Sequence, residues 1–212
     1  DLTLNVLDLI LIVNNILQPD LYPFTEDQFN LADANTDGMV NILDVVLLMN
    51  IVLEQNDSLG RTASEVTLKI HPMGIEQYNS VSAGYQITIN HAPGITIDLT
   101  NNAMLAKTVT DMNQSTIIIL NPENGWLFKT DGVFEVEEIL AASGNDYANT
   151  YIEYIPDTYI LKPAYPNPFN PITTIEFAIQ KDGFVEIAIY DMQGRLLDKL
   201  FSDYADAGYH EE

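Results

Sequence analysis

Twelve consecutive residues constrain this chain more than any other stretch: Asp33-Ala-Asn-Thr-Asp-Gly-Met-Val-Asn-Ile-Leu-Asp44. Oxygen-bearing side chains stand at positions 1, 3, 5, 9 and 12 of the run, with a glycine at position 6. Short carboxylates and amides on alternate residues of a tight loop can converge on one point, and a hard divalent cation takes roughly six to eight such oxygens. The spacing predicts a calcium loop. Asp33, Asn35, Asp37 and Asn41 supply side-chain oxygens, directly or through water, Met39 its backbone carbonyl and Asp44 the closing carboxylate, while Gly38 permits the sharp turn. A plain turn at Asp37-Gly38 with Asn41 as helix N-cap competes with this, but it needs only two of those residues. Position 12 departs from the usual rule, being Asp44 where a bidentate Glu is expected, so the next helix must start closer to the ion.

The run is half of a duplication. Residues 4–17 align with residues 40–53 at an offset of 36, pairing Asn5 with Asn41, Leu7 with Leu43, Asp8 with Asp44, Leu11 with Leu47, Asn14 with Asn50 and Leu17 with Leu53. This register puts Asp1, Thr3, Asn5 and Asp8 at positions 5, 7, 9 and 12 of a first loop, with Leu2 in the place of Gly38. Each loop runs into a predicted helix, roughly 6–17 and 42–53, too apolar to be wet on one side. The two helices must pack on each other and still have apolar surface to cover. Between them, residues 19–27 read as a linker leading to a short turn or helix near residues 28–32.

Loop, helix, linker, loop and helix in this duplicated pattern resemble a type I dockerin over residues 1–56. The resemblance implies a calcium-dependent module that binds a cohesin-like domain, in trans or on another copy of the chain. Carried over, the recognition residues are Val6, Leu7, Val13 and Asn14 in one repeat and Ile42, Leu43, Met49 and Asn50 in the other. Packing between the two helices explains Leu7 and Leu43 equally well.

Residues 57–64 are small and polar and read as a linker. Beyond them the period changes from helical to alternating. Short strand-like runs at 65–71, 83–91, 95–99, 102–109, 115–120, 125–128, 133–142 and 151–155, separated by Gly, Pro, Asn and Asp, predict a β-sandwich over residues 65–158. Within 83–91, Tyr85, Ile87 and Ile89 alternate with Gln86, Thr88 and Asn90, which gives one buried face. Its Gly-aromatic-Gln strand is similar to one in cohesins; a generic or Ig-like sandwich is the other reading.

Prolines at 163, 166, 168 and 171 forbid helix and lead an extended segment into a strand at 173–179, followed by strands at 184–190 and 196–201. Tyr165-Pro-Asn-Pro-Phe-Asn-Pro171, Tyr190-Asp-Met-Gln-Gly-Arg195 and Ala207-Gly-Tyr-His210 resemble the C-terminal sorting domain of the type IX secretion system and the related FlgD-like Ig domain. The resemblance implies export across a Gram-negative outer membrane to an extracellular or cell-surface location. The family continues into at least one further strand, so the module at 161–212 is expected to be incomplete.

Composition narrows the partners. With 31 acidic against 8 basic residues the formal net charge is −23, which repels nucleic acid and anionic membranes and favours cations. There is no cysteine, hence no disulfide or thiolate site, and no stretch of transmembrane length. Three isolated histidines and the absence of a nucleophile elbow or phosphate loop give no catalytic constellation.

The fold class expected is therefore a small all-α calcium-loop module followed by two all-β modules. The function expected is secreted, non-catalytic docking with Ca2+ as cofactor, extending to head-to-tail assembly into a homopolymer or filament. The alternative is an attachment and export region of a larger secreted hydrolase.

Overall fold

The computed structural model describes residues 4–54, 65–78, 84–144 and 146–212. It divides into two compact units, Asp1–Lys69 with Met73–Ile152 and Ile70–Pro72 with Glu153–Glu212.

In the first unit the helices are α1 (Val6–Leu17), α2 (Glu26–Ala32) and α3 (Ile42–Glu54). Their starts are written in the sequence. Asn5 caps α1 by accepting from the Leu7 N–H at 2.8 Å, while Asp8 accepts from the Asn5 N–H at 2.9 Å. Asn41 and Asp44 repeat both bonds at the start of α3, at 2.8 and 2.9 Å. The duplication is thus one of geometry as well as of letters. Thr25 and Gln28 form a third capping box at α2.

The strands make two five-stranded sheets. One has the order β10-β1-β2-β7-β4, from β1 (Glu65–His71), β2 (Gly74–Tyr78), β4 (Ile97–Leu99), β7 (Gly125–Thr130) and β10 (Asn149–Tyr154). The other has the order β5-β6-β3-β8-β9, from β3 (Gly84–His91), β5 (Leu105–Asp111), β6 (Gln114–Leu120), β8 (Phe134–Ser143) and β9 (Asp146–Tyr147). They face one another: the Tyr85 hydroxyl donates to Gln77 Oε1 at 2.6 Å, and the Phe128 and Phe134 rings meet at 5.5 Å. The strands anticipated between 65 and 155 form, and β2 and β9 are added to them.

The opposite face of the second sheet carries the helices. Strand register puts Ile118, Leu120, Ala142 and Gly84 on that face, and the first three share one buried core with Leu9, Val13, Ile42, Val46 and Met49. This overturns the expected fold class. Among the described residues the helices form no self-contained all-α module: the structure is mostly strand (47%), and its three short helices share their core with the sheet. Part of their apolar surface is buried on the sheet, while Val6, Leu7, Leu11, Leu31 and Ile51 remain exposed. The expected linker at 57–64 lies outside the described residues.

The second unit contains a three-stranded sheet, β11-β12-β15 (Ile160–Leu161, Glu176–Ile179, Gly208–Glu211), and a hairpin, β13 (Gly183–Tyr190) with β14 (Leu196–Ala205). Phe177 is its centre, stacked on His210 at 5.0 Å and tilted against Phe201 at 5.5 Å.

Candidate metal centre

The acidic loop runs from α2 into α3, with Asp33 as the C-cap of α2. Its turn is built by side chains accepting from backbone N–H groups ahead of them. Asp33 Oδ1 takes Asp37 N–H at 3.1 Å and Oδ2 takes Gly38 N–H at 3.0 Å. Asn35 Oδ1 takes Asp37 N–H at 3.0 Å, and Asp37 Oδ1 takes Met39 N–H at 2.9 Å. Left-handed φ values at Thr36 (57°) and Gly38 (87°) turn the chain back on itself, which glycine tolerates and which confirms its position in the run.

Asp44 closes the loop. Fully buried, it accepts from Ala34 N–H at 2.9 Å, Asn35 N–H at 3.3 Å and Asn41 N–H at 2.9 Å, and so ties the last turn to the first. Burial pushes its carboxyl above the usual range; the three N–H donors oppose this and the Asp33 charge adds to it.

Do these residues fit a cation? Three carboxylates, Asp33, Asp37 and Asp44, lie in one loop, and among the described residues the ion pairs are Lys162–Glu176, Arg195–Asp191 and Lys199–Glu186, none of them here. The negative charge has no organic counter-ion in that set. Among the described residues no three Asp, Glu or His side chains stand close enough to hold a metal by themselves. A hard cation would therefore also need the Asn35 and Asn41 amide oxygens and the Met39 carbonyl, which is the donor set that calcium accepts. Met39 itself is exposed.

Of the first loop, Asp1 and Thr3 lie outside the described residues, while Asn5 and Asp8 form the α1 capping box. The anticipated recognition residues divide. Val6 and Leu7 are exposed, at 46% and 69%. Val13, Ile42, Leu43 and Met49 are buried in the core shared with the sheet, and cannot at the same time form an open docking face. Asn14 and Asn50 do make contacts, but within the chain. Lys107 Nζ of β5 donates to Asn14 Oδ1 at 2.7 Å, and Asn50 Nδ2 donates to the Gly144 carbonyl at 3.1 Å.

Sequence reasoning missed Tyr147. Its hydroxyl, on β9, donates to Asn41 Oδ1 at 3.0 Å, which couples a loop oxygen to the edge of the sheet 106 residues away. Burial raises the phenol above its ordinary range, and the charges of Asp37, Asp44 and Glu138 act in the same direction. No local motif marks such a contact.

His91 Nε2 meets Ser115 Oγ at 2.7 Å, a nucleophile-and-base pairing by distance. Ser115 has no exposed surface and also pairs with Thr110, so the group is a buried polar relay of the fold. Among the described residues no helix is long and apolar enough to cross a membrane.

Residues 163–206 match the family model of the secretion system C-terminal sorting domain. The match makes this segment similar to a type IX sorting tail, which points to export and to an extracellular or cell-surface location. Searches of curated proteins and of solved structures find no match.

Proposed function

We propose that this chain is the export and attachment region of a secreted protein, in which a calcium-stabilised, non-catalytic unit of helices on a β-sandwich precedes the sorting tail. The observation that carries the reading is the sorting-domain match at 163–206. Support for calcium comes from the loop, where Asp33, Asn35, Asp37, Asn41 and Asp44 with the Met39 carbonyl would hold the ion. Bound there, calcium supplies two positive charges to a loop that carries three carboxylates. Asp44 joins the two ends of the loop through backbone N–H groups, and Asn41 connects it through Tyr147 to the sheet. Ordering the loop therefore holds α3 on the sandwich, and ion binding adds to the folding free energy of the whole unit.

Docking to a cohesin-like domain in trans, or to another copy in a filament, needs an apolar helix face that is free. The burial of Ile42, Leu43 and Met49 disfavours it. Attachment and export of a hydrolase, the alternative drawn from the sequence, is the form of this proposal that assigns a cargo.

The test is a secretion assay in a Gram-negative host with a type IX system, using a reporter enzyme fused ahead of Asp1. The full chain should carry the reporter outside the cell, and removal of residues 161–212 should leave it in the periplasm. Equal export with and without that segment refutes the reading.

A further inference from the structure

The outer face of the β10-β1-β2-β7-β4 sheet, remote in register from the face turned to the second sheet, carries the only tryptophan in the chain, Trp126. Trp126 pairs with Glu76 of β2, whose neighbours Ile75 and Gln77 are buried between the sheets, so the indole stands on the opposite, outer side. A β-bulge between Ile75 and Glu76 brings Lys129 to the same side, opposite Gly74. The ring lies over Gly74: a Cβ there would come within 2.9 Å of Cζ3, and 3.1 Å of Cε3. Glycine thus lets the indole lie against the sheet, and Lys129 Nζ stands 4.6 Å from the ring centroid.

Beside this platform is a cleft of about 350 Å³ between the loop after β4 and the turn before β7. Its walls are fixed to each other. The Glu123 N–H donates to the Asn102 carbonyl at 2.8 Å, the Thr100 N–H to the Leu127 carbonyl at 3.0 Å, and the Asn102 N–H to Thr100 Oγ1 at 3.1 Å. Asn101 and Asn102 line the cleft with amides, Asn124 lines it while its Oδ1 accepts from Gln77 Nε2 at 3.2 Å, and Asp98 sits across from Lys129 in the strand register. One cation and one anion leave the cleft with no formal charge from that pair.

We propose that this cleft binds a neutral pyranose saccharide. Hydroxyls both donate and accept, and so do the amides of Asn101 and Asn102; a flat aromatic ring offers its face to the C–H side of a sugar; and Lys129 and Asp98 offset each other while Glu76, paired with Trp126, disfavours an anion. The Lys129 ammonium would move from the ring toward Asp98 when the sugar takes its place. The loop tethers keep the amides in position, so little ordering is needed on binding.

Because Trp126 is the only indole, its emission reports the site directly. The full chain is titrated with cellohexaose, xylohexaose and mannohexaose, with oligogalacturonate as the anionic comparison. Saturable change with at least one neutral probe, weaker for oligogalacturonate, is expected. Affinity electrophoresis in the matching polysaccharide should lose retardation in Trp126→Ala and weaken by roughly tenfold in the exposed Asn101→Ala. Circular dichroism melting at an unchanged midpoint serves as the folding control. No response to any neutral hexasaccharide, or equal retardation of Trp126→Ala, overturns the proposal, as does stronger binding of the galacturonate.

Discussion

Asp44 performs two tasks with one carboxylate: it caps α3 and it closes the loop on Ala34 and Asn35. Removing it orphans three backbone donors, of which Asn41 N–H is buried. Asp44→Ala is therefore expected to cost about 2–4 kcal/mol without calcium, measured by urea titration in chelator. Asp44→Asn removes the charge and keeps one acceptor oxygen, enough for either the Ala34 and Asn35 N–H groups, which share Oδ1, or the Asn41 N–H on Oδ2, so its calcium response is read against its own melting point in chelator. Saturating calcium should raise the melting point of the parent chain and raise that of Asp44→Asn far less; equal shifts would remove Asp44 from the ion site. At the other end of the chain Asp191 shows the same economy. Its Oδ1 accepts from the N–H of Gln193 and Arg195, its Oδ2 from Arg195 Nε, and Gly194 adopts φ 78° to make the turn. The Arg195 N–H, then its guanidinium, hold this carboxyl below the usual carboxylate range. A depressed folded pKa means that the contribution is present at neutral pH, above the unfolded value, and is lost as pH falls through the folded one. Carboxyl NMR should find Asp191 titrating below the usual aspartate range, with the 190–196 turn loosening in parallel. Titration within that usual range would show that the turn is not held by it.

At the scale of elements, the decisive piece is β6. Its run Ile117-Ile-Ile-Leu120 is buried at every position, where a one-sided strand would alternate. Ile117 and Ile119 pair with Ile87 and Tyr85 toward the other sheet, while Ile118 and Leu120 turn to the helices. That run, and Ala141-Ala142 on β8, were the available signs that something covers the sheet. Strands, helix spans and the duplicated loop were legible because they are set by local periodicity and by residues close in sequence. The attachment of the helices was not, since Lys107–Asn14, Asn50–Gly144 and Tyr147–Asn41 each span about ninety residues or more. The surplus apolar surface on both helices was legible, but not what would cover it. Gly84 marks the closest approach: a Cβ there would meet Val46 Cγ2 at 3.0 Å, Ile42 Cδ1 and Leu120 Cδ2 at 3.1 Å. Gly84→Val should therefore destabilise the unit by about 1–3 kcal/mol through overpacking, read as a lower denaturant midpoint. A fragment of residues 1–56 should show no cooperative melting even with calcium, whereas residues 1–152 should; cooperative unfolding of the short fragment would restore an independent helical module.

For the whole molecule, two compact units and a net charge of −23 pose one question: whether calcium acts at a site or merely screens the surface. Screening depends on ionic strength and acts on exposed charge everywhere, since the Debye length at physiological salt is only about 8 Å. A bound ion acts on the unit that contains its ligands, by an amount that grows with the logarithm of its concentration above Kd. The loop belongs to the first unit, and its oxygens are tied to that unit's sheet through Asn41 and Tyr147. The second unit centres on Phe177, and its ion pairs Lys162–Glu176 and Lys199–Glu186 are exposed, the kind that salt weakens. Differential scanning calorimetry should thus resolve two transitions. Calcium at fixed ionic strength should move only one, and Tyr147→Phe should reduce that movement without altering the other. If sodium chloride of equal ionic strength reproduces the shift, or both transitions move together, the ion is screening charge and the loop is a capped acidic turn.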